Sequence, residues 1–501
     1  LTALAARFRA LPDRYGRRTL VLLALIALLG LGLRAYAVAH PVAEPADDSH
    51  AYFGLAKALY EEGSFGGPTF RDSSDWSPGA PLLYAASFYA TGGAREGTAR
   101  IVEALLGIAA ILVVFALAER LGQAVLRRQN SDQHAHEGEP PATGLAATVG
   151  LLAALGVAVY PPFIHSTGEL MSEPPAMLLL PAAVLAWLWA GNVGWGRPSS
   201  GWRGERGVRT TAPATPLSPR QDPLARWLVP GLLFGALAMM RPEYLLVGGA
   251  FIVLTAIRIA IDYDWRRALA AAAVFIAALF VLILPWAIRN YVVLDRVVPI
   301  STGGGKALYV GTFLPADGEY QRVKAILYER YDHISLPPQS EALNEVDPTP
   351  LFDKVAARYP DLPRDSALGK VGKQNFSKYF GEDPLGYLGM TARKVGRMWG
   401  SGVGEAMSSG LGRAIQILLV ALGIGGLVVL GRRRRWWELL ALATPVALVT
   451  TVGAISLAAP RRNEVLMTLV FPAVALALVS TFAAISSGRE WSPEQASSPP
   501  S

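Results

Sequence analysis

Stretches of about 20 consecutive, mostly apolar residues recur along the chain, the length a helix needs to cross the hydrocarbon core of a bilayer. They begin near Leu20 and end near Ile485. A soluble core does not call for runs of this length, whereas a bundle of membrane-spanning helices does. The charge content agrees: 17% of the 501 residues are charged, against about 25% in an ordinary soluble domain. Mean hydropathy is +0.33. The absence of cysteine excludes disulfides, zinc ribbons and thiol catalysis.

The runs divide into about ten spans: Leu20–Ala39, Arg100–Ala118, Gly144–Tyr160, Pro174–Ala190, Leu228–Met240, Tyr244–Ile257, Ala268–Ile288, Ala414–Leu430, Leu439–Leu457 and Val465–Ile485. The fifth and sixth are short helices meeting at a break, Arg241-Pro242, because proline cannot continue a helix. The expected fold is an all-α polytopic membrane protein. Its expected parts are an N-terminal module (1–288) with a first outer loop (40–99), an outer domain (289–413) between spans seven and eight, C-terminal spans (414–485) and a disordered cytoplasmic tail (486–501).

Lys and Arg favour the cytoplasmic side. The N-terminus carries Arg7, Arg9, Arg14, Arg17 and Arg18, and alternate loops carry Arg127 and Arg128, Arg197 to Arg226, Arg258 to Arg267, and Arg432 to Arg435. The outer loop Pro161–Glu173 carries none. Both termini are therefore expected inside, and no cleavable signal peptide is evident. Two inner loops, Gln129–Thr143 and Gly194–Asp222, have the polar, Pro- and Ser-rich composition of linkers.

Directly after the first span comes Asp47-Asp48-Ser49-His50-Ala51-Tyr52. Tyr52, Leu55, Ala56 and Leu59 recur at helical spacing, which predicts a short helix at the membrane interface with the aspartates at its start. Asp48 suits a helix N-cap. It equally suits a general base at the membrane surface, since a hydroxyl must lose its proton as it attacks and a phosphate leaving group needs no strong acid. Repulsion from Asp47 would sharpen that role. A divalent metal held by Asp47, Asp48 and His50 is the alternative use of the cluster; the base chemistry itself calls for no soluble cofactor.

Several short motifs occur in order: Asp48-Ser49-His50-Ala51-Tyr52, Met171-Ser172-Glu173-Pro174, Met240-Arg241-Pro242-Glu243, Pro285-Trp286-Ala287-Ile288-Arg289-Asn290-Tyr291 followed by Val298 to Gly304, and Pro460-Arg461-Arg462. Together they resemble the GT-C superfamily of membrane glycosyltransferases, in particular the protein O-mannosyltransferase and aminoarabinose transferase group and its bacterial relatives. The resemblance covers most of the chain. It implies a polyprenyl-phosphate sugar donor, an envelope glycan, lipid or protein acceptor bearing a hydroxyl, an aspartate of the first outer loop as base (here Asp48, with Asp47 beside it), and inversion at the anomeric carbon. It also implies a bacterial plasma membrane with the site on its outer face. The sequence departs from the mannosyltransferase pattern, which has Asp followed by Glu where this chain has two aspartates. A transporter or flippase of a lipid-linked envelope precursor is the alternative; nucleic acid is not an expected partner.

Other ionisable groups sit where spans end. Arg241 and Glu243 flank a proline at membrane depth, where charge is a functional candidate; a guanidinium there can clamp a lipid phosphate. Arg289, Arg461 and Arg462 are further phosphate candidates at outer helix ends. Lys306 follows Gly303-Gly304-Gly305, but without a following Ser or Thr this is no nucleotide-binding loop; a turn or a backbone approach to phosphate or sugar remains. Glu169 and Glu173 lie in the cation-free loop and are candidates for positioning substrate, with a first-turn acid as the plainer use of Glu173. His50 and Tyr52 complete the candidate set. Arg34, late in the first span, is expected to snorkel outward.

Overall fold

The computed structural model describes residues 11–41, 47–66, 73–126, 142–191 and 224–489. In chain order the main helices are α1 (Leu11–Ala39), α2 (Asp47–Glu62), α3 (Gly79–Thr91), α4 (Glu96–Leu126), α5 (Ala142–Val159), α6 (Glu173–Gly191), α7 (Leu228–Met240), α8 (Tyr244–Asp262) and α9 (Trp265–Leu294). An outer group follows: α10 (Gly304–Thr312), α11 (Tyr320–Asp332), α12 (Thr349–Ala356), α13 (Arg364–Glu382) and α14 (Pro384–Gly400). Three long helices close the chain: α15 (Gly410–Arg432), α16 (Trp436–Ile455) and α17 (Pro460–Arg489). Among the described residues there is no strand.

Each of the ten apolar segments is helical. Eight helices among the described residues are long and apolar enough to cross a bilayer, or nine if the bent pair Gly144–Val159 and Pro161–Gly168 is one span. The remaining segment, Ala225–Met240, is shorter. It ends at Arg241, whose backbone is extended (φ −146°, ψ 110°), because a residue before proline is pushed out of the helical region. The linker segments 129–141 and 194–222, their arginines, and the tail 490–501 lie outside the described residues, as do Arg7, Arg9, Arg127 and Arg128.

The centre of the bundle is α17, with 78% of its apolar window buried, whereas α1 is peripheral at 11%. Small residues allow the close approach of α15 to α17: a Cβ at Gly426 would meet the Ala473 carbonyl oxygen at 2.0 Å. Packing of this kind replaces the hydrophobic driving force that lipid cannot supply between helices. The outer group has its own apolar core, including Tyr309, Val323, Leu327, Phe352 and Leu368.

Three expectations need correction. Arg34 does not snorkel; its side chain is buried, with Nη1 donating to the Ala158 carbonyl at 3.3 Å and Nη2 to the Val157 carbonyl at 3.2 Å. The reason lies in the sequence of α5: the helical donors for those two carbonyls would come from Pro161 and Pro162, which have no N–H. Arg34→Met should therefore leave two buried acceptors unpaired and cost about 1–3 kcal/mol for each, read as a lowered unfolding midpoint in detergent; an unchanged midpoint would show that the carbonyls find other donors. Second, the apolar face of α2 is covered by protein, with Tyr52, Leu55 and Ala56 buried and Tyr52 edge-on to Trp76 at 5.5 Å. Third, Arg289 is spent on the fold, as described below.

Candidate active site at one end of the bundle

A cavity of about 2020 Å³ opens where the ends of the membrane helices meet the outer group. Asp48, Tyr52, Arg241, Glu243, Lys306, Arg461 and Arg462 all line it. Each arrives by a different local route. Asp48 is in the first turn of α2. Arg241 and Glu243 occupy the proline break between α7 and α8. Arg461 and Arg462 open α17 immediately after Pro460, proline being well suited to a first helical turn.

These side chains form one chain of ion pairs. Arg461 Nη1 donates to Asp48 Oδ2 at 2.7 Å and Arg461 Nε to Glu173 Oε1 at 3.0 Å. The same Glu173 oxygen accepts from Arg241 Nη1 at 2.6 Å, and Arg241 Nε donates to Glu243 Oε1 at 3.0 Å. Arg462 Nη1 lies 3.9 Å from that Glu243 oxygen and has no hydrogen-bond partner among the described residues. Three carboxylates thus alternate with three guanidinium groups drawn from four separate parts of the sequence. Burial opposes charge on Glu243, but the guanidinium of Arg241 outweighs it and holds the carboxyl below its ordinary range. Burial likewise opposes charge on Arg241, yet Glu243 and Glu173 keep it firmly protonated. Burial pushes the Tyr52 phenol well above its usual range.

Asp48 keeps about a third of its side-chain surface exposed (32%), as does Arg461 (34%), whereas Glu173 is 2% exposed. The reachable end of the network is therefore Asp48–Arg461, and Glu173 is its buried hub. A guanidinium whose carboxylate partner is a neighbour rather than a permanent cage can exchange that partner for phosphate.

Other candidates lie elsewhere. Arg289 Nη2 donates to the Phe65 carbonyl at 2.6 Å, and its guanidinium stacks 5.0 Å from the Trp286 ring centroid; it does not line the cavity. Glu169 pairs with His165 at 3.6 Å, and His50 is exposed beyond the lining. The side chain of Asp47 lies outside the described residues. Among the described residues no group of three or more His, Asp or Glu side chains is arranged to hold a metal. Lys306 reaches the cavity with Nζ 5.8 Å from the Phe352 ring centroid, but Gly305 serves close packing: a Cβ there would sit 1.8 Å from the Asp365 carbonyl oxygen.

Two positioning devices escaped the sequence reading. Trp286 Nε1 and Asn290 Nδ2 both donate to the Ile300 carbonyl, at 2.8 and 3.0 Å, and Asn290 also reaches the Val298 carbonyl at 3.0 Å. The Pro-Trp-x-x-Arg-Asn-Tyr segment thus ties down the loop that delivers Ser301 to Gly304 to the cavity. Their spacing of four residues on α9 was the available signal. Elsewhere in the lining, Arg364 forms an ion pair with Asp353 at 2.7 Å and lies 3.7 Å from Asp75, joining the outer group to the loop before α3; nothing local marked that pair.

No protein-family profile matches the sequence, and no curated protein does. Among solved structures, the chain is similar to the archaeal oligosaccharyltransferase AglB from Archaeoglobus fulgidus in complex with an inhibitory peptide and a dolichol-phosphate, at TM-score 0.52 and 14% identity over 97% of this chain. An Archaeoglobus fulgidus oligosaccharyltransferase tethered with an acceptor peptide containing the NVT sequon superimposes at TM-score 0.51 and 15% identity over 95% of this chain. In these comparisons the chain spans about half of each enzyme's length, 52% and 51%. ArnT from Cupriavidus metallidurans bound to undecaprenyl phosphate aligns at TM-score 0.35 and 12% identity, over 94% of this chain and 81% of that one. The all-helical bundle with its cavity at one end and the likeness to AglB over 97% of this chain together identify the architecture as the GT-C fold.

Proposed function

We propose that this protein is a membrane glycosyltransferase that moves a sugar from a polyprenyl-phosphate donor to a hydroxyl of an envelope glycan, lipid or protein, with inversion, at the outer face of a bacterial plasma membrane. The observation that carries the proposal is the meeting of Asp48 with Arg461, a residue 413 positions away, at the edge of a cavity large enough for a lipid headgroup and an acceptor. The dolichol-phosphate held by AglB supports a lipid phosphate as the donor's anchor.

The donor phosphate takes the guanidinium of Arg461, with Arg241 and Arg462 adding positive charge around it. Asp48 then loses its ion-pair partner and is free to accept the acceptor's proton. The acceptor oxygen attacks the anomeric carbon from the face opposite the phosphate; the new C–O bond forms as the sugar–phosphate bond breaks, and the polyprenyl phosphate leaves with the bonding electrons. Asp48 carries the proton away. Tyr52 and Lys306 border the space in which sugar and acceptor would meet. The helices support this orientation: Arg258 lies 17 residues along the chain from Arg241, close to 21 Å from the start of α8 at about 1.5 Å per residue. The basic residues Arg258 to Arg267 therefore belong to the end away from the cavity, and basic ends face the cytoplasm.

The donor half of the reading is tested by native mass spectrometry of the purified protein. Wild type should carry a polyprenyl phosphate adduct, and Arg461→Ala with Arg241→Ala should lose at least nine-tenths of it, a loss on the order of 1.4 kcal/mol or more. A double variant that retains the adduct, while remaining monodisperse, would place the lipid phosphate elsewhere.

A further inference from the structure

The outer group carries an apolar surface that faces away from the cavity. On α14 the buried positions are Tyr387, Met390, Lys394 and Met398, a single stripe at helical spacing that packs inward. The opposite stripe would be polar on a water-facing helix. Here it consists of Leu385, Leu388, Ala392 and Val395, with no charged residue in it. Leu385 is 81% exposed and Leu388 55%. At the end of α13 the surface continues through Phe376 and Phe380, stacked at 5.4 Å and both exposed; Phe380 lies 5.9 Å from Tyr387.

The inward stripe fixes α14 to the ends of the membrane spans. Lys394 Nζ donates to the Ala454 carbonyl near the end of α16 at 2.8 Å and to the Gly311 carbonyl at 2.8 Å. Trp399 Nε1 donates to Thr450 Oγ1 at 3.1 Å, and Asn463 of α17 donates to the Ser401 carbonyl at 2.9 Å. Arg393 and Arg397, on the flank of the same helix, line the cavity and share Asp317 at 2.7 and 2.5 Å. A cation borders the apolar surface as well: Lys373 stands three residues before Phe376 on the same face of α13.

From these we infer that α14, with Phe376 and Phe380 of α13, is seated in the lipid bilayer at the boundary between headgroups and acyl chains. The occupant of this surface is the membrane itself. The apolar stripe enters the acyl boundary, while Lys373 meets anionic headgroups. Two observations select lipid over a partner protein: α14 is tied to the terminal turns of spans, which end at that depth, and exposed apolar residues of a neighbouring span, Leu411 and Ile415 of α15, continue the same kind of surface where α15 begins. The helix thereby separates the cavity from the bilayer, with Arg393 and Arg397 on the cavity side and leucines on the other. The inference does not depend on sugar transfer.

The chain has no cysteine, so single cysteines at Leu385, Leu388 and Phe380, and at exposed Gln339 for reference, can each carry a nitroxide label on the full-length protein in phosphatidylcholine–phosphatidylglycerol vesicles. Collision rates with oxygen, which concentrates in the bilayer, and with a water-soluble nickel chelate then report depth. The logarithm of the oxygen-to-nickel ratio should be positive at Leu385, Leu388 and Phe380 and negative at Gln339. Ratios at the three positions that match Gln339 would put the helix in water and overturn the inference. Low collision rates with both reagents would overturn it too, by showing that protein covers the face.

Discussion

Asp48→Asn should lower sugar transfer by about 10²–10⁴-fold, the usual contribution of a general base, while polyprenyl phosphate still copurifies. Asparagine keeps the shape of the side chain but takes no proton. It also gives up the ionic contact that Arg461 makes with Asp48 at 2.7 Å. The guanidinium then meets one competitor fewer, so donor affinity should hold or rise as turnover falls. Initial rates with a labelled polyprenyl-phosphate sugar and adduct occupancy by native mass spectrometry separate the two effects. Transfer at the wild-type rate would remove Asp48 from the chemistry. A transporter of lipid-linked precursors would show no transfer in wild type either, only movement of lipid across the bilayer.

Glu173→Ala should be the most destabilising single change at the site, by about 3–5 kcal/mol. The carboxylate is 2% exposed and holds Arg241, itself 14% exposed, and Arg461. Removing it leaves two guanidinium groups facing each other with Glu243 and Asp48 as their remaining acid partners. The cost comes from buried charge left without its counter-ion rather than from the pair's intrinsic strength. Pairing Glu173→Ala with Arg241→Met should recover part of the loss, because the two positions share one contact and are not additive. Unfolding midpoints in detergent for both singles and the double test this. A Glu173→Ala midpoint equal to wild type would mean that solvent reaches the hub and screens it.

The positions of the spans were legible because hydrophobic run length is a local property. Each apolar segment became a helix, and Arg241-Pro242 broke the chain where proline must. Individual charges were less legible. Arg34 and Arg289 look alike in sequence, each an arginine near the end of a span. One caps carbonyls that Pro161 and Pro162 leave unpaired, and the other is occupied by the Phe65 carbonyl. Glu169 and Glu173 share a loop, yet one pairs with His165 and the other becomes the hub of the ion network.

By itself the sequence determined that the chain is a bundle of membrane helices, where its breaks fall, and which charged residues stand at helix ends, since run length, proline and charge act over a turn or two of helix. The tertiary structure alone decided which of those charges meet. Asp48 and Arg461 are neighbours because α2 and α17 pack at the same end of the bundle, and that packing depends on the fit of many apolar side chains remote from either residue. A guanidinium near a span end can serve backbone, aromatic ring or carboxylate equally well by its own chemistry, so only its surroundings choose among them.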